Sequence, residues 1–356
     1  MKLTFILFIL VAWTILFSMH WVIYTTVSRV FDVSIPYAPH LLGVLSISYL
    51  LASIGVRTLN YKVADWFYVV AASWLGIVFL LFFVVLLYVF FHFSTGTDSS
   101  IVLGSLLVLG LVCSMYALLE GKSVIVKSYV VPLAGLEEPL RVVHLSDIHV
   151  GTVHQKKYLN TIVEKTNTLH PDIVLITGDL FDGSARIEEE ILTPLNKLNA
   201  KAFFSNGNHE AYEGLDMVRE TLQGLSLELL ENTSVKYKGV EIIGINDRQS
   251  LPQGLNPVLK EIPPKNIAPR LLMYHSPVEW DVAKSYGVDM MFSGHTHNGQ
   301  IFPFTLLVRL FFSHLQGLYE DTGKYLHVSP GTGTWGPPMR LGSRNQITLI
   351  ELQPVR

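Results

Sequence analysis

The sequence predicts an α/β protein that begins with a four-helix membrane region, and three observations carry this prediction. Apolar residues make up 50% of the 356, give a mean hydropathy of +0.39, and are concentrated before about residue 120. After that point, short apolar strands alternate with amphipathic helical patterns. Several of those strands end at an acidic, amide or imidazole side chain, which places metal-binding groups together at the edge of a sheet.

The overall composition excludes several classes of protein. The formal net charge is -3 and only 15% of the residues are charged, so no nucleic-acid partner is expected. The single cysteine, Cys113, lies in an apolar run. The sequence therefore has neither a disulfide framework nor a thiolate zinc site, and Cys113 is expected to be a small buried hydrophobic residue.

Four segments are apolar enough to cross a bilayer, which takes roughly 20 helical residues. The first resembles a signal peptide in position, but its apolar run is longer than a usual h-region, and three spans remain even if it is cleaved. The second is the shortest and contains several serines. The four segments are residues 3–24, 39–56, 66–92 and 101–119. We expect a transmembrane region over residues 1–121 and a second domain over residues 122–356.

The basic residues of the short loops predict the orientation in the membrane. Five of them fall on one side of the four spans, and only Arg29 falls on the other side. This asymmetry predicts that both termini and the second domain are cytoplasmic, with the spans in the inner membrane. The five are Lys2, Arg57, Lys62, Lys122 and Lys127.

The second domain shows a strand–helix alternation followed by a more β-rich part. Helices are predicted over residues 156–169, stopped by Pro171, and over residues 185–198, disturbed by Pro194. Early strands are predicted at residues 124–131, 140–145, 173–177 and 202–205. Later strands are a hairpin at residues 235–238 and 240–245, and residues 271–274, 290–293, 325–328 and 346–352.

Seven side chains of metal-ligand type follow these strands. Any one of them alone is more often a hydrogen-bonded structural residue, but together they supply the oxygen and imidazole ligands of a two-metal hydrolytic centre. Gly178, Gly207 and Gly294 stand beside several of them and are expected to let the backbone turn sharply. The seven are Asp147, His149, Asp179, Asn208, His275, His295 and His297.

These blocks resemble those of the calcineurin-like metallophosphoesterases over about residues 122–356. The resemblance rests on Asp147-x-His149, Gly178-Asp179-x-x-Asp182, Gly207-Asn208-His209-Glu210, His275 and Gly294-His295-x-His297. SDIHVG, GHTHNGQIF and VSPGTGT are similar to membrane-associated bacterial phosphoesterases of the YkuE/YaeI type. The implied fold is an αββα sandwich of two mixed sheets flanked by helices. Asn298 departs from the glycine expected in GHTHGGQ, which we expect to affect substrate fit rather than metal binding.

The resemblance implies a role for each residue of the site. Asp147, His149 and His297 would bind one divalent ion, Asn208, His275 and His295 a second, and Asp179 would bridge both. His209 would be catalytic, beside the phosphate, and Asp182 and Glu210 would orient histidines. The two ions would supply hydroxide from bound water. Mn is favoured by a cytoplasmic location, with Fe or Zn as alternatives.

Other residues leave alternatives open. Arg340 and Arg344 are candidates for substrate binding or are solvated surface residues. His144 is expected in the core, and four further histidines are expected to be surface or structural residues: His154, His170, His314 and His327. Residues 301–312, IFPFTLLVRLFF, are either core or a lip beside the metal site that contacts the membrane and admits a lipid substrate.

The resemblance predicts a membrane-anchored phosphohydrolase that cleaves a phosphodiester or diphosphate bond. Its expected partners are the lipid bilayer and a phosphate-ester substrate. A lipid-linked substrate such as UDP-diacylglucosamine, used by one branch of such enzymes in lipid A synthesis, is one option, and a soluble nucleotide or phosphomonoester is another. Two other classes stay open. One is a non-catalytic membrane scaffold that keeps the fold, and the other is a channel or transporter with a regulatory phosphoesterase-like domain.

Overall fold

The computed structural model describes residues 2–59, 61–183, 189–249, 253–264 and 268–355. The chain forms two compact units. The helical unit contains Met1–Glu120 together with Gly336–Leu341, and the α/β unit contains Gly121–Trp335 together with Gly342–Arg356. The first boundary follows the last apolar segment, whereas nothing in the sequence indicates that Gly336–Leu341 leaves the domain around it.

The helical unit is built from four long apolar helices at the four predicted spans. All four are long and apolar enough to cross a membrane. Large apolar side chains such as Phe90, Phe93 and Ile101 lie exposed on their surfaces, as expected of helices that face lipid instead of water. The helices are α1 (Lys2–Phe31), α2 (Ala38–Thr58), α3 (Lys62–Thr95) and α4 (Ser100–Glu120).

The segment Gly336–Leu341 packs among these helices. The backbone N–H of Arg340 donates to the carbonyl oxygen of Ala117 at 2.9 Å. A Cβ atom at Gly76 would overlap the sulfur of Met339, so the glycine makes room for this side chain. Met339 and Arg340 are both fully buried. A short piece of the C-terminal sequence is therefore a structural part of the helical unit.

In the described part of the α/β unit, twelve strands form two sheets. They are β1 (Val124–Leu133), β2 (Leu140–Leu145), β3 (Ile173–Thr177), β4 (Lys201–Ser205), β5 (Leu227–Leu229), β6 (Thr233–Tyr237), β7 (Val240–Ile245), β8 (Arg270–Tyr274), β9 (Met290–Ser293), β10 (Gly317–Asp321), β11 (Lys324–Val328) and β12 (Asn345–Pro354).

Both sheets are mixed, as predicted. The first has the order β1-β12-β2-β3-β4-β5, with β12 antiparallel to β2 and the neighbours from β2 to β5 parallel. The second has the order β10-β11-β9-β8-β7-β6, with its outer strands β10 and β6 antiparallel to their neighbours. Among the inner strands, β2, β3, β4, β8 and β9 are each followed directly by one or two of the ligand-type residues.

Helices cover the outer faces of the two sheets. In chain order the helices of the unit are α5 (Lys156–Thr168), α6 (Glu189–Leu192), α7 (Asn208–Glu213), α8 (Leu215–Leu222), α9 (Leu255–Glu261), α10 (Trp280–Ser285) and α11 (Phe304–Val308), with 3-10 turns at Thr193–Lys197 and His297–Gly299. Leu159 and Ile162 of α5 pack on Val174 of the first sheet, and Leu255 and Leu259 of α9 pack in the cluster of Leu272 on the second.

The central core lies between the sheets. It joins Leu175 and Phe203 of the first sheet to Ile242, Met273 and Phe292 of the second. Because every one of these side chains is apolar and fully buried, this contact contributes hydrophobic stabilisation to the unit. The layer order is helix, sheet, sheet, helix, which confirms the predicted αββα sandwich.

A pair of histidines bridges the two sheets inside this core. His144 Nδ1 lies 2.8 Å from His327 Nδ1, and His144 Nε2 lies 2.7 Å from the hydroxyl of Thr177. Burial lowers the pKa of His144 to about 3 and holds the pKa of His327 well below its ordinary value, so both rings are neutral. The core position predicted for His144 is confirmed.

The predicted helix over residues 185–198 is only partly visible. Residues 185–188 lie outside the described residues, and the rest forms the short α6 and the turn Thr193–Lys197. Pro194 explains the tighter turn because it lacks the N–H that an α-helix needs at this point. Strands β5 and β10 had no clear signal, since each is a short edge strand of partly exposed residues.

Candidate metal centre

The seven ligand-type residues converge at the carboxyl ends of the inner strands. Parallel strands deliver the residues that follow them to the same edge of a sheet, and the two sheets bring their edges together here. Six of the seven are buried and His295 is half-buried. Asp147 and His149 follow β2, Asp179 follows β3, Asn208 begins α7 after β4, His275 follows β8, and His295 and His297 follow β9.

The first group consists of Asp147, His149 and His297, whose ligand atoms lie within 4.8 Å of one another. His297 Nε2 is 3.3 Å from Asp147 Oδ1 and 3.1 Å from His149 Nε2. Two ring nitrogens that face each other beside a carboxylate form the arrangement expected of ligands directed at one cation. This is the set that the family resemblance assigns to the first metal ion.

The second group is formed by Asp179, His275 and His295. His275 Nε2 lies 3.0 Å from Asp179 Oδ2, and His295 Nδ1 lies 2.9 Å from Asn208 Oδ1. The amide oxygen thus completes the predicted second set. Asp179 Oδ2 is also 3.9 Å from His149 Nε2, which puts this one carboxylate beside both groups, where a bridging ligand belongs.

The chemistry of these donors fits divalent metal ions. Carboxylate and amide oxygens combined with imidazole nitrogens, without thiolate, suit Mn, Fe or Zn. Burial by itself would raise the pKa of Asp179, but the charges of His275 and His209 outweigh it and hold that pKa well below its usual range. Asp147 behaves in the same way next to His297 and His275. Both carboxylates are therefore anionic and available to a cation.

Hydrogen bonds behind the site fix the direction of its ligands. His275 Nδ1 donates to the carbonyl oxygen of Thr177 at 2.8 Å, so Nε2 faces the centre. Asp147 accepts from the Ser146 hydroxyl at 2.7 Å and from the backbone N–H of His295 at 3.0 Å. Such outer contacts hold metal ligands in place before the ion binds.

Glu210 plays a different part from the one predicted for it. Instead of orienting a histidine, its carboxylate accepts from the backbone N–H groups of Asp179 at 2.9 Å, Gly207 at 2.6 Å and Phe181 at 3.2 Å. Burial, reinforced by the charge of Asp179, raises the pKa of Glu210 to about 7. Glu210 therefore ties together the loops after β3 and β4, which the spacing of residues along the chain does not reveal.

Asp182 does contact histidines. Its carbonyl oxygen accepts from His209 Nδ1 at 2.6 Å, and its carboxylate oxygen Oδ1 is 3.8 Å from His149 Nδ1. Because a carbonyl only accepts, Nδ1 of His209 carries the proton and Nε2 faces the site. His209 Nε2 is 3.8 Å from Asp179 Oδ2, a distance compatible with a role beside the phosphate or as a further ligand. The catalytic role of His209 stays a prediction.

The glycines beside the ligands act mainly by leaving space. Gly178 has φ +75°, and a Cβ there would lie 2.6 Å from the Cα of Gly207. Gly207 and Gly294 have no such φ, but a Cβ at either would overlap a carboxylate oxygen, of Asp179 and Asp147 respectively. The predicted sharp turn thus applies at Gly178, whereas the other two glycines allow a loop to pass against a ligand.

Asn298 has a conformational explanation. Its φ is 48° and its ψ is 37°, the left-handed region that asparagine tolerates better than most residues other than glycine. The side chain is buried, and the backbone N–H faces the Thr296 hydroxyl at 3.2 Å. Asparagine at this position therefore preserves the turn, and the expected effect on substrate fit stays a prediction.

Two exposed aromatic residues beside His209 were missed in the sequence. The ring of Tyr212 is centred 5.3 Å from the His209 ring and that of Trp335 6.0 Å from it. Gln300 holds the backbone of Trp335 on both sides, accepting from its N–H and donating to its carbonyl oxygen, each at 2.9 Å. The sequence signal was weak: Trp335 lies in a glycine-rich loop, and Tyr212 lies shortly after ligand-type residues.

The two arginine candidates lie in different units. Arg340 is fully buried in the helical unit, and Arg344 is exposed on the α/β unit. A role in substrate binding stays a prediction for both.

Comparisons with known proteins agree with this geometry. A family model described as calcineurin-like phosphoesterase matches residues 140–299, a range that contains all seven ligand-type residues and His209. An uncharacterized metallophosphoesterase of Helicobacter pylori is 36% identical over 238 residues, which are 64% of this chain and 64% of that protein. The matched part thus spans less than two thirds of this relative.

Two other relatives extend the comparison. A transmembrane protein with metallophosphoesterase domain from Bos taurus is 33% identical over 60% of this chain and 53% of its own length. An uncharacterized metallophosphoesterase of Aquifex aeolicus is 31% identical over 60% of this chain, and the match covers 85% of that protein. The similarity to the YkuE/YaeI type in particular stays a prediction.

Proposed function

Because this chain belongs to the calcineurin-like phosphoesterases, we propose that it is a membrane-anchored, metal-dependent phosphohydrolase that cleaves a phosphodiester or diphosphate bond. One observation carries the proposal. Asp179 belongs to two of the three donor clusters at the site, once with His275 and His295 and once with His149 and His209. The long apolar helices supply the anchor.

The donor groups define which residues would hold the metal ions. Asp147, His149 and His297 would hold one, and Asn208, His275 and His295 the other, with Asp179 between them. When bound, two divalent ions lower the pKa of a water molecule and balance negative charge on the phosphorus oxygens. We propose Mn as the natural metal, with Fe and Zn as the alternatives to be compared.

His209 is the residue of the chain that handles the proton. Its Nδ1–H is committed to the Asp182 carbonyl, so Nε2 is directed at the site and can donate to a phosphoryl oxygen or protonate the leaving oxygen. The oxygen of water forms a bond to phosphorus and the bond to the leaving oxygen breaks. The leaving oxygen takes its proton from Nε2 of the ring protonated on both nitrogens, and the proton lost by water passes to solvent, which returns a proton to Nε2.

The substrate proposed here is a lipid-linked phosphate ester or diphosphate, such as UDP-diacylglucosamine. The four apolar helices support it by keeping the site at a membrane, and Tyr212 and Trp335 support it by offering exposed rings beside His209 for the group attached to the phosphate. Arg344 is a candidate to contact the same substrate. A soluble nucleotide is the alternative substrate of the same site.

We further propose that the α/β unit is cytoplasmic and that the helices lie in the inner membrane. The asymmetry of the basic loop residues supports this orientation. A reporter fused after Arg356 tests it, because alkaline phosphatase is active only in the periplasm and green fluorescent protein matures in the cytoplasm. Fluorescence without phosphatase activity is expected, and the reverse pattern would place the unit outside.

The hydrolase proposal is tested with the full-length protein loaded with Mn, Fe or Zn. We expect turnover of bis-p-nitrophenyl phosphate and of UDP-diacylglucosamine that requires the metal. A His209→Asn variant should keep its bound metal, measured by plasma emission, and lose about 100-fold or more in kcat. Loss of metal from this variant would instead make His209 a ligand.

A non-catalytic scaffold is the second candidate. It predicts that the protein binds its metals and yet hydrolyses neither ester at any metal loading. The intact donor set, with both carboxylates anionic and His209 directed at the centre, favours the enzyme.

A further inference from the structure

The α/β unit carries an unusual apolar surface next to the metal centre. Six large apolar side chains within ten residues are between 45% and 79% exposed. Elsewhere among the described residues of this unit, exposed large apolar side chains occur singly or in pairs. Soluble surfaces rarely concentrate apolar groups in this way. We call the six the apolar ridge: Phe302, Phe304, Leu306, Leu307, Leu310 and Phe311.

The ridge is an ordered structure that is fixed to the ligand-bearing turn. A Cβ atom at Gly299 would overlap the backbone of Thr305, so α11 packs directly against the turn that presents His297. Thr305 is the buried residue of α11. The backbone N–H of Arg309 donates to its carbonyl oxygen at 3.2 Å. Because the small Thr305 faces inward, the large apolar side chains around it are left facing outward.

The ridge also continues into the metal centre. The ring of Phe312 is half-buried, and its centre is 5.5 Å from that of the His295 imidazole. His295 is the most accessible of the seven ligand-type residues. An apolar chain lying along the ridge would therefore end at the open side of the metal site.

The charge of the segment fits a lipid surface. Residues 301–312 contain no acidic residue and a single basic one, Arg309, which is exposed. Segments that lie in the membrane interface combine large apolar side chains with Lys or Arg, since the apolar groups enter the headgroup boundary and the cation attracts anionic lipids. A protein partner would need matching polar groups, and the ridge offers few.

The length of the chain keeps the α/β unit near such a surface. Only Gly121, Lys122 and Ser123 separate the end of α4 from the start of β1. Three extended residues span about 10 Å. If α4 crosses a bilayer, the α/β unit begins within that distance of the membrane surface.

From these observations we propose that the apolar ridge docks on the lipid bilayer, with Leu310 and Phe311 inserted at the boundary between headgroups and acyl chains. Docking does not depend on the proposed hydrolysis. The consequence of docking for catalysis does rest on the proposed function. In the docked protein, the metal centre would contact phosphate groups at the membrane surface, and the acyl chains of a lipid substrate would lie along the ridge as far as Phe312.

The docking is tested by measuring the depth of spin labels in the full-length protein. In a Cys113→Ser background, single cysteines replace Leu310, Phe311 or, as a control, Met217, which is 52% exposed on α8. The protein is placed in vesicles of phosphatidylcholine and phosphatidylglycerol. Labels at positions 310 and 311 should be relaxed by oxygen and protected from a water-soluble nickel chelate, and the label at 217 should show the opposite.

Two outcomes would overturn the proposal. One is equal exposure of all three labels to the nickel chelate, which would leave the ridge in water. The other is dipolar broadening between labels at position 311 in dilute vesicles, which would mean that a second copy of the chain covers the ridge.

A turnover experiment separates docking from hydrolysis. We expect the double variant Leu310→Ser, Phe311→Ser to lose at least about 10-fold on UDP-diacylglucosamine in vesicles, since two large apolar groups no longer reach the lipid. Hydrolysis of bis-p-nitrophenyl phosphate should be unchanged, and Met217→Ser should affect neither substrate. Equal loss on both substrates would contradict docking. If the parent protein hydrolyses neither ester, the hydrolase proposal fails, and the spin labels still decide the docking.

Discussion

The metal centre and the rim around it are adjacent, but they differ in how deeply their side chains are buried and how firmly those side chains are held. The seven residues of the centre are buried or half-buried, and hydrogen bonds to loop backbones fix several of them. The rim consists of Tyr212, Trp335 and the apolar ridge, whose side chains are largely exposed. The side chains of the centre are therefore held in fixed directions, whereas those of the rim are left exposed, where we propose that they select the substrate.

The backbone shows the same contrast. Asp147, His149, Asp179, His295 and His297 all have φ between 48° and 69°, a left-handed conformation that costs free energy for residues other than glycine. Such strain persists only where the surroundings enforce it. Here the carboxylate of Glu210 and the close passage of Gly207 and Gly294 supply the constraint, and nothing comparable is found at Tyr212 or on the ridge.

The largest effect is expected from a change at the middle of the centre. Asp179→Asn removes the anionic charge shared by both ligand groups and should lower kcat/KM on bis-p-nitrophenyl phosphate by more than about 100-fold. Bound metal, measured on the same sample, should fall as well. Tyr212→Phe serves as the control because it keeps the ring of a rim residue. If Asp179→Asn retained both its metal and its activity, the centre would not be organised around this carboxylate.

A smaller effect is expected beneath the centre, at the pair of His144 and His327. The folded pKa values of both lie below the unfolded value of about 6.5, so the unfolded chain binds protons first as the pH falls. The free energy of unfolding therefore decreases as the pH falls below about 6.5, and for His144 the decrease continues towards its folded pKa of about 3. The loss is about 1.4 kcal/mol per pH unit for each histidine.

Hydrogen exchange of the amides in β2 and β11 measures this loss when pH 7 and pH 5 are compared after correction for intrinsic rates. His327→Leu removes one of the two titrating rings. Roughly half of the pH dependence of protection that the pair causes should therefore disappear. An unchanged dependence would show that the two rings are not held neutral in the folded core.

The smallest effect is expected on the rim. Trp335→Ala should raise KM for UDP-diacylglucosamine about 5-fold, since one aromatic contact contributes on the order of 1 kcal/mol. The loop should keep its position because Gln300 bonds the backbone of residue 335 and not its ring. Trp335→Phe should restore most of the affinity. A fall in kcat with unchanged KM would instead place Trp335 among the residues that position His209.

Much of the centre was predictable because its signals are local. Each ligand-type residue follows an apolar strand directly, so the order of Asp147, Asp179, Asn208, His275 and His295 along the chain already implies a shared edge. The four apolar helices were equally clear, since spanning length and composition are properties of one segment. The roles of Glu210 and Asn298 were not predictable in this way, because a backbone contact and a φ angle leave little trace in residue type.

The sequence by itself determined the two-part organisation, the mixed α/β fold and the seven ligand-type residues that the structure brings together. The tertiary structure alone decided that Gly336–Leu341 packs among the helices, that Trp335 lies beside His209, and that the six side chains of the apolar ridge face outward. These features depend on contacts between residues far apart in the chain. Apolar composition cannot distinguish a segment that packs inside from one that stays exposed, because both are equally hydrophobic and only their neighbours differ.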